Sequence, residues 1–293
     1  MHISTKAQCY LVLVALIWGL TFPLIHQAVG FLDPDVFVFV RFCMAALFFL
    51  PFVISLLRKT SKLLLYGSLL LGLGNSVVYI FQSIGLMTIP ASRSAFITGT
   101  GVILVPFLSF VLKIEKMRLM HFVCAILCCI GLYILTGADF AGFNVGDLYT
   151  FGCAIAYALT VIIIQILSES FDDPRLIVFY QMIFTIPIAG LLSIGSDFTP
   201  LLLPGVYIPL IFCAVLATCL VYYWQLRYQQ YTTAPKAALI YALEPVFASI
   251  FSISMHQEAL TWTIVIGGGF IFGSIILPDM LALLGLADKR KKK

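Results

Sequence analysis

The stretch ALIYALEPVFASIF, residues 238–251, holds a single charged side chain, Glu244, with Pro245 directly behind it. A carboxylate near the centre of an apolar helix in lipid costs about 2.5–3.5 kcal/mol on insertion scales, so keeping one there calls for a use. Three uses fit. It can bind an ammonium group, with Tyr241 and Trp18 adding cation–π attraction. It can take up a proton, because burial favours the neutral carboxyl, and so link a flux to a proton gradient. Or it can tie helices together, paired with Arg41 or hydrogen-bonded to Gln82 or Gln225.

The other polar residues of the apolar runs fall into stripes. Asn75, Tyr79 and Gln82 stand at i, i+4 and i+7, one face of a helix, and Thr218, Tyr222 and Gln225 repeat the pattern. Trp18 shares a face with Thr21, and Tyr157 with Thr160. Ser94, Thr98 and Gly101 form a further face, matched by Ala237, Tyr241 and Glu244. One such residue alone is accounted for by a hydrogen bond between helices, worth about 0.6 kcal/mol. Matched faces on six helices are better accounted for by a shared, watered cavity. The expected binding residues are therefore Glu244, Tyr241, Trp18, Asn75, Tyr79, Gln82, Tyr157, Thr218, Tyr222 and Gln225, with Glu244 also the coupling candidate. Arg41 has no polar stripe around it and reads as structural.

The elements that carry these residues follow from composition. Of 293 residues, 62% are hydrophobic and 10% charged, against about 25% charged in soluble domains. So much apolar surface needs the bilayer as solvent. The run from Cys9 to Val29 is too long for a signal-peptide core and has no small-residue cleavage site behind it, so it reads as a retained span. Hydropathy and breaks predict ten spans: 8–29, 35–57, 63–87, 92–112, 119–136, 147–167, 175–195, 204–226, 236–255 and 260–284. The expectation is an all-α integral membrane protein.

With the N-terminus placed inside, fifteen of the 17 Lys and Arg residues fall on inner segments. Arg93 stands at an outer helix start and Arg41 within a span. The asymmetry predicts that both termini are cytoplasmic. The tail KRKKK, Lys289–Lys293, then reads as a topology anchor on anionic lipid rather than a nucleic-acid contact.

The halves resemble each other. DPDVFVFVR (33–41) matches DPRLIVFYQ (173–181), and ASRSAFI (91–97) matches APKAALI (234–240). At the second offset Tyr79 falls on Tyr222, Gln82 on Gln225, Ser109 on Ser252 and Glu115 on Glu258. Five spans per half make the second copy enter the membrane upside down, an architecture of alternating-access carriers. The expected units are a first repeat over 5–137, an inverted second repeat over 145–284 and a basic cytoplasmic tail over 285–293. Gly99, Gly101, Pro106 and Pro245 are expected to bend or unwind helices near the midplane. Gly269 and Gly273, four apart in GGGFIFG, suggest close packing within the fold ahead of a dimer seam; the oligomeric expectation is a monomer or homodimer.

The ordered set of WGLTF in the first span, DP…R entering the second and LEPVFA in the ninth resembles the EamA branch of the drug/metabolite transporter superfamily. That resemblance covers almost the whole chain. It implies a plasma-membrane carrier for small metabolites, often an amino acid exporter, with spans 1, 3, 4, 6, 8 and 9 lining the cavity. The family's Gly-Glu pairs after spans 4 and 9 read KIEK and HQEA here, keeping Glu115 and Glu258 without the glycine, so tight turns do not follow from the motif.

The functional expectation is a secondary-active carrier in a bacterial inner membrane for a small polar, amine-bearing metabolite, with export favoured. Its partners would be the substrate, membrane lipid and protons as coupling ion. Import of an environmental or host metabolite by exchange, and a passive channel, are alternatives. A lipid enzyme would want clustered His or Asp at a membrane face, and no nucleophile–base loop, phosphate-cradling motif or metal-ligand spacing occurs. No catalytic residue, metal or cofactor is called for. The eight cysteines read as small core residues. His26, late in the first span, reads as a satisfied edge histidine ahead of a vestibule residue.

Overall fold

The computed structural model describes residues 3–114, 119–136, 143–256 and 259–283. Among them the secondary structure is entirely helical. The first half holds α1 (Ile3–Ala28), α2 (Pro34–Phe49), α3 (Lys62–Leu86), α4 (Ala91–Gly99), α5 (Gly101–Val111) and α6 (Leu119–Thr136). The second holds α7 (Val145–Ser170), α8 (Arg175–Leu192), α9 (Pro204–Ala214), a π-helical turn (Val215–Leu220), α10 (Val221–Gln229), α11 (Ala234–Tyr241), α12 (Glu244–Ser254) and α13 (Trp262–Leu283).

Local chemistry fixes the helix starts. Pro34 opens α2, where its missing N–H is no loss. The Ser61 hydroxyl caps α3 by accepting the Leu64 N–H at 3.2 Å. At α7, Asn144 Oδ1 accepts the Gly146 N–H at 2.8 Å while Asp147 Oδ2 accepts the Asn144 N–H at 2.8 Å, a reciprocal capping box.

Among the described residues, eight helical stretches are long and apolar enough to cross a membrane: Thr5–Ala28, Pro34–Phe52, Lys62–Leu86, Arg93–Val111, Val145–Ser170, Arg175–Leu192, Pro204–Gln229 and Ala234–Ser254. The apolar stretches Leu119–Leu135 and Trp262–Pro278 fall on the other two of the ten predicted spans, next to residues outside the described set. These two pack along each other as α6 and α13. Their contact is so close that a Cβ on Gly131 would stand 2.8 Å from the Gly267 carbonyl oxygen. The expected close-packing pair in α13 is therefore corrected: among the described residues nothing lies within 4 Å of a Cβ at Gly269 or Gly273, and Gly267 makes the contact instead.

The packing has a pseudo-symmetric order. α3 lies on α7 and α8, while the stretch from α9 through α10 lies on α1 and α2. α1 packs on α11 and α12, and α7 on α4 and α5; α2 meets α8, and α4 and α5 meet α12 and α11. Exchanging the halves turns each of these pairings into another of the set. The ends of α5 and α12 also match: Lys113 and His256 both carry φ 58°, so left-handed turns close these helices without glycine. Glu115, Lys116, Arg118, Glu258 and the tail 285–293 lie outside the described residues.

Candidate functional site

Two interrupted helices meet at the centre. α4 ends at Gly99 and α5 begins at Gly101, with Thr100 between them donating its hydroxyl to the Ile97 carbonyl at 2.6 Å. α11 ends at Tyr241, and α12 begins at Glu244 with Pro245 in its first turn. Pro245 thus starts a helix rather than bending one, and Glu244 heads α12 where the helix dipole favours an anion. The breaks face each other, since a Cβ on Gly99 would stand 3.3 Å from Pro245 Cγ. α1 closes in from the side: a Cβ on Gly19 would stand 3.0 Å from the Glu244 carbonyl oxygen.

Around these breaks lies a polar pocket lined from α1 (Trp18, Thr21), α3 (Asn75, Tyr79, Gln82), α4 (Thr98), α7 (Tyr157, Thr160), α10 (Tyr222, Gln225) and α12 (Glu244). Phe22, Val78 and Ile164 complete its wall. The side chains leave room for about one or two water molecules. Glu244 is 7% exposed, and its Oε1 accepts the Tyr157 hydroxyl at 3.2 Å. Trp18 is fixed by its indole N–H, which donates to the Ala217 carbonyl at 3.1 Å. The rings of Trp18, Tyr157 and Tyr241 stand mutually tilted, with centroids 5.6–6.4 Å apart.

The pocket gathers Glu244, Trp18, Asn75, Tyr79, Gln82, Tyr157, Tyr222 and Gln225. Tyr241 stands behind the wall, its hydroxyl donating to Gln229 Oε1 at 3.0 Å. Thr218 also stands behind it, in the π-helical turn, donating to the Cys213 carbonyl at 2.7 Å. That bond reaches five residues back and fits the wider turn. The apolar members Phe22, Val78 and Ile164 carried no polar signal; Val78, three residues after Asn75, was open to detection by helical spacing alone.

Arg41 on α2 is 1% exposed. Its Nε donates to Thr218 Oγ1 at 2.9 Å, and its guanidinium carbon lies 4.3 Å from the centroid of the Tyr79 ring. Among the described residues no ion pair joins it to Glu244. Its repeat mate Gln181 makes the mirrored contact, with Oε1 accepting from Asn75 Nδ2 at 3.1 Å. His26, exposed late on α1, donates from Nδ1 to the Leu86 carbonyl at 2.8 Å. Five cysteines are buried, at Cys124, Cys128, Cys153, Cys213 and Cys219, while Cys9 is exposed.

A membrane-embedded helical protein with a central polar pocket is the class that this architecture defines. The model of the EamA-like transporter family matches residues 5–137 and 144–278. The chain belongs to that family, a branch of the drug/metabolite transporter superfamily, and is a multi-pass membrane transporter. A relative from Archaeoglobus fulgidus, described as an uncharacterized transporter, is 31% identical over 274 residues, covering 94% of this chain and 86% of the relative. A solved structure described only as "Crystal structure of protein" superposes with a TM-score of 0.75 at 16% identity, covering 96% of this chain and 98% of that one. At that identity it is a likeness of fold.

Proposed function

We propose that the chain is a secondary-active carrier that moves a small amine-bearing metabolite, an amino acid or a related compound, by alternating access. In this reading ten spans form two inverted five-helix repeats, over 5–137 and 145–284, in a bacterial inner membrane with both termini cytoplasmic. Export is the favoured direction and protons are the coupling ion. The observation that carries the reading is the lone carboxylate at the break between α11 and α12, in a polar pocket whose walls come from both halves. An anion ringed by Trp18 and Tyr157 suits an ammonium group. Two interrupted helices, one from each half, meeting at the site support a carrier over an open channel.

The test is Glu244→Gln, a near-isosteric change that removes the charge. Melting in detergent is expected to match wild type, because a costly buried charge is gone. Proton-driven uptake of radiolabelled amino acids into liposomes is expected to fall at least a hundredfold. Surviving counterflow assigns Glu244 to proton coupling; loss of both fluxes assigns it to ammonium binding. Wild-type uptake by the variant would make Glu244 a tie between helices and defeat the reading.

A further inference from the structure

Arg41 carries a charge that its packing does not require. Its repeat mate Gln181 occupies the equivalent place on α8 and bridges to α3 through a neutral amide. Arg41 bridges to Thr218 in the same manner, with one further contact of 3.4 Å from a terminal nitrogen to the Ala217 carbonyl. A neutral side chain therefore suffices for this joint. A buried guanidinium without a carboxylate partner is costly, and among the described residues no ion pair satisfies this one.

The charge is directed at one wall of the pocket. The guanidinium lies against the Tyr79 ring at 4.3 Å, and Tyr79 and Tyr222 line the cavity with ring centroids 6.4 Å apart. Tyr222 is 3% exposed, and its hydroxyl faces that of Tyr79 without a hydrogen bond of good geometry. Thr98, also on the pocket wall, has the Cys153 thiol beside its hydroxyl. The pocket thus has an acidic region at Glu244 and Tyr157, and a donor-bearing region at Tyr79 and Tyr222 with a fixed cation behind it.

From this geometry we infer that Arg41 is a specificity-determining residue that selects zwitterionic substrates. Their carboxylate is held at the Tyr79 and Tyr222 hydroxyls in the field of Arg41, while their ammonium group meets Glu244. The inference rests on the ammonium-binding reading of Glu244. An anion at the Tyr79 hydroxyl lies within about 10 Å of the guanidinium, and at an effective permittivity of about 20 the attraction is worth on the order of tenfold in affinity. A substrate lacking the carboxylate gains nothing and meets the repulsion of the same charge.

The test compares binding of leucine, threonine and tryptophan with binding of their carboxamides, which keep the ammonium group and lack the carboxylate. Affinity is read by thermal shift on purified wild type, Arg41→Gln, Tyr222→Phe and Glu244→Gln. Wild type is expected to prefer at least one free acid over its amide by on the order of tenfold. Arg41→Gln is expected to erase that preference while keeping amide binding, and Tyr222→Phe to weaken it severalfold. Tyr222→Phe keeps the ring and decides between the outcomes if Arg41→Gln does not fold. Preference unchanged in Arg41→Gln, or unchanged in Tyr222→Phe where the first variant is unfolded, overturns the inference. A shift in the pH profile of uptake with an unaltered acid-to-amide ratio overturns it too, leaving Arg41 as a counter-charge. If Glu244→Gln binds acids and amides as wild type does, the ammonium reading of Glu244 fails, and the ratio in Arg41→Gln still judges Arg41. Wild type that binds neither class defeats both.

Discussion

The two halves build the same joint with different chemistry. In the first, the interrupted helix α4–α5 turns at Gly99, Thr100 and Gly101 and brings no charge to the break; in the second, α11–α12 turns just before Glu244. In the first, α3 runs unbroken past Asn75, whose amide meets Gln181. In the second, a π-helical turn interrupts the path at Thr218, which meets Arg41. The second half thus supplies the carboxylate at the break, and α2 of the first half sends its cation across to the second. A duplicated scaffold can tolerate such specialisation because the shared packing sets the backbone, leaving individual side chains free to carry charge.

The sharpest way to break the comparison is at Gly19. Its position on α1 corresponds to Ala158 on α7, where a methyl group is already fully buried. At Gly19 a Cβ would stand 2.5 Å from Phe247 Cβ and 3.0 Å from the Glu244 carbonyl oxygen. Part of that crowding is backbone, which cannot swing aside. Gly19→Val is expected to cost about 3 kcal/mol or more, read as lost folded yield in detergent. Ala158→Gly removes one methyl and adds backbone freedom, with an expected cost of about 1 kcal/mol and folding retained. Equal tolerance at both positions would mean that α1 and α7 do not play mirrored parts.

Much of this was legible in the sequence, for a physical reason. Lipid leaves polar side chains few places to go, so stripes such as Asn75, Tyr79 and Gln82 had to face protein, and the pocket gathers that stripe with Tyr222 and Gln225. The repeat offsets paired Arg41 with Gln181 before any contact was visible. Three things were not legible. Tyr241 shares the stripe of Glu244, but the helix ends at Tyr241 and the turn there redirects its hydroxyl to Gln229. Thr218 was displaced from the wall because the π-helical turn shifts the register on which the stripe was counted. The hydrogen bond from Tyr157 to Glu244 links two separate helices, and no spacing within one helix encodes such a contact.

A smaller effect separates the two mirrored hydrogen bonds. Thr218→Val keeps the shape of the side chain and removes the acceptor of the Arg41 Nε–H. Hydrogen bonds to charged groups are worth about 1.5–3 kcal/mol, so a loss of about 2 kcal/mol is expected. Asn75→Ala removes a neutral amide pair, where bonds between membrane helices average about 0.6 kcal/mol, so about 1 kcal/mol is expected with the lost packing included. Reversible unfolding of both variants in mixed micelles checks the ranking. If Asn75→Ala costs more, the charge on Arg41 adds nothing to its joint.

The smallest effect lies where the repeat motif itself diverges, DPD at residues 33–35 against DPR at 173–175. In the second copy Arg175 replaces the second aspartate and pairs with Asp173, Nη2 to Oδ2 at 2.6 Å, with both side chains more than 40% exposed. The hydrogen bonds from Arg175 hold the Asp173 carboxyl below its ordinary value of 3.8. A carboxylate whose pKa is depressed in the folded state stabilises the fold above the unfolded value and loses that contribution as pH falls through the folded one. Exposed pairs contribute only about 0.2–1 kcal/mol, and salt screens them. Asp173→Asn is therefore expected to lower the melting temperature slightly at neutral pH and low salt. The gap from wild type should shrink at high salt and close once the pH drops below the ordinary carboxylate range. Arg175→Asp, which copies the first motif into the second, should remove the same increment and add mutual repulsion between Asp173 and the new carboxylate. A melting gap for Asp173→Asn that persists in acid would show that Asp173 acts by capping the start of α8 through its shape and not through its charge.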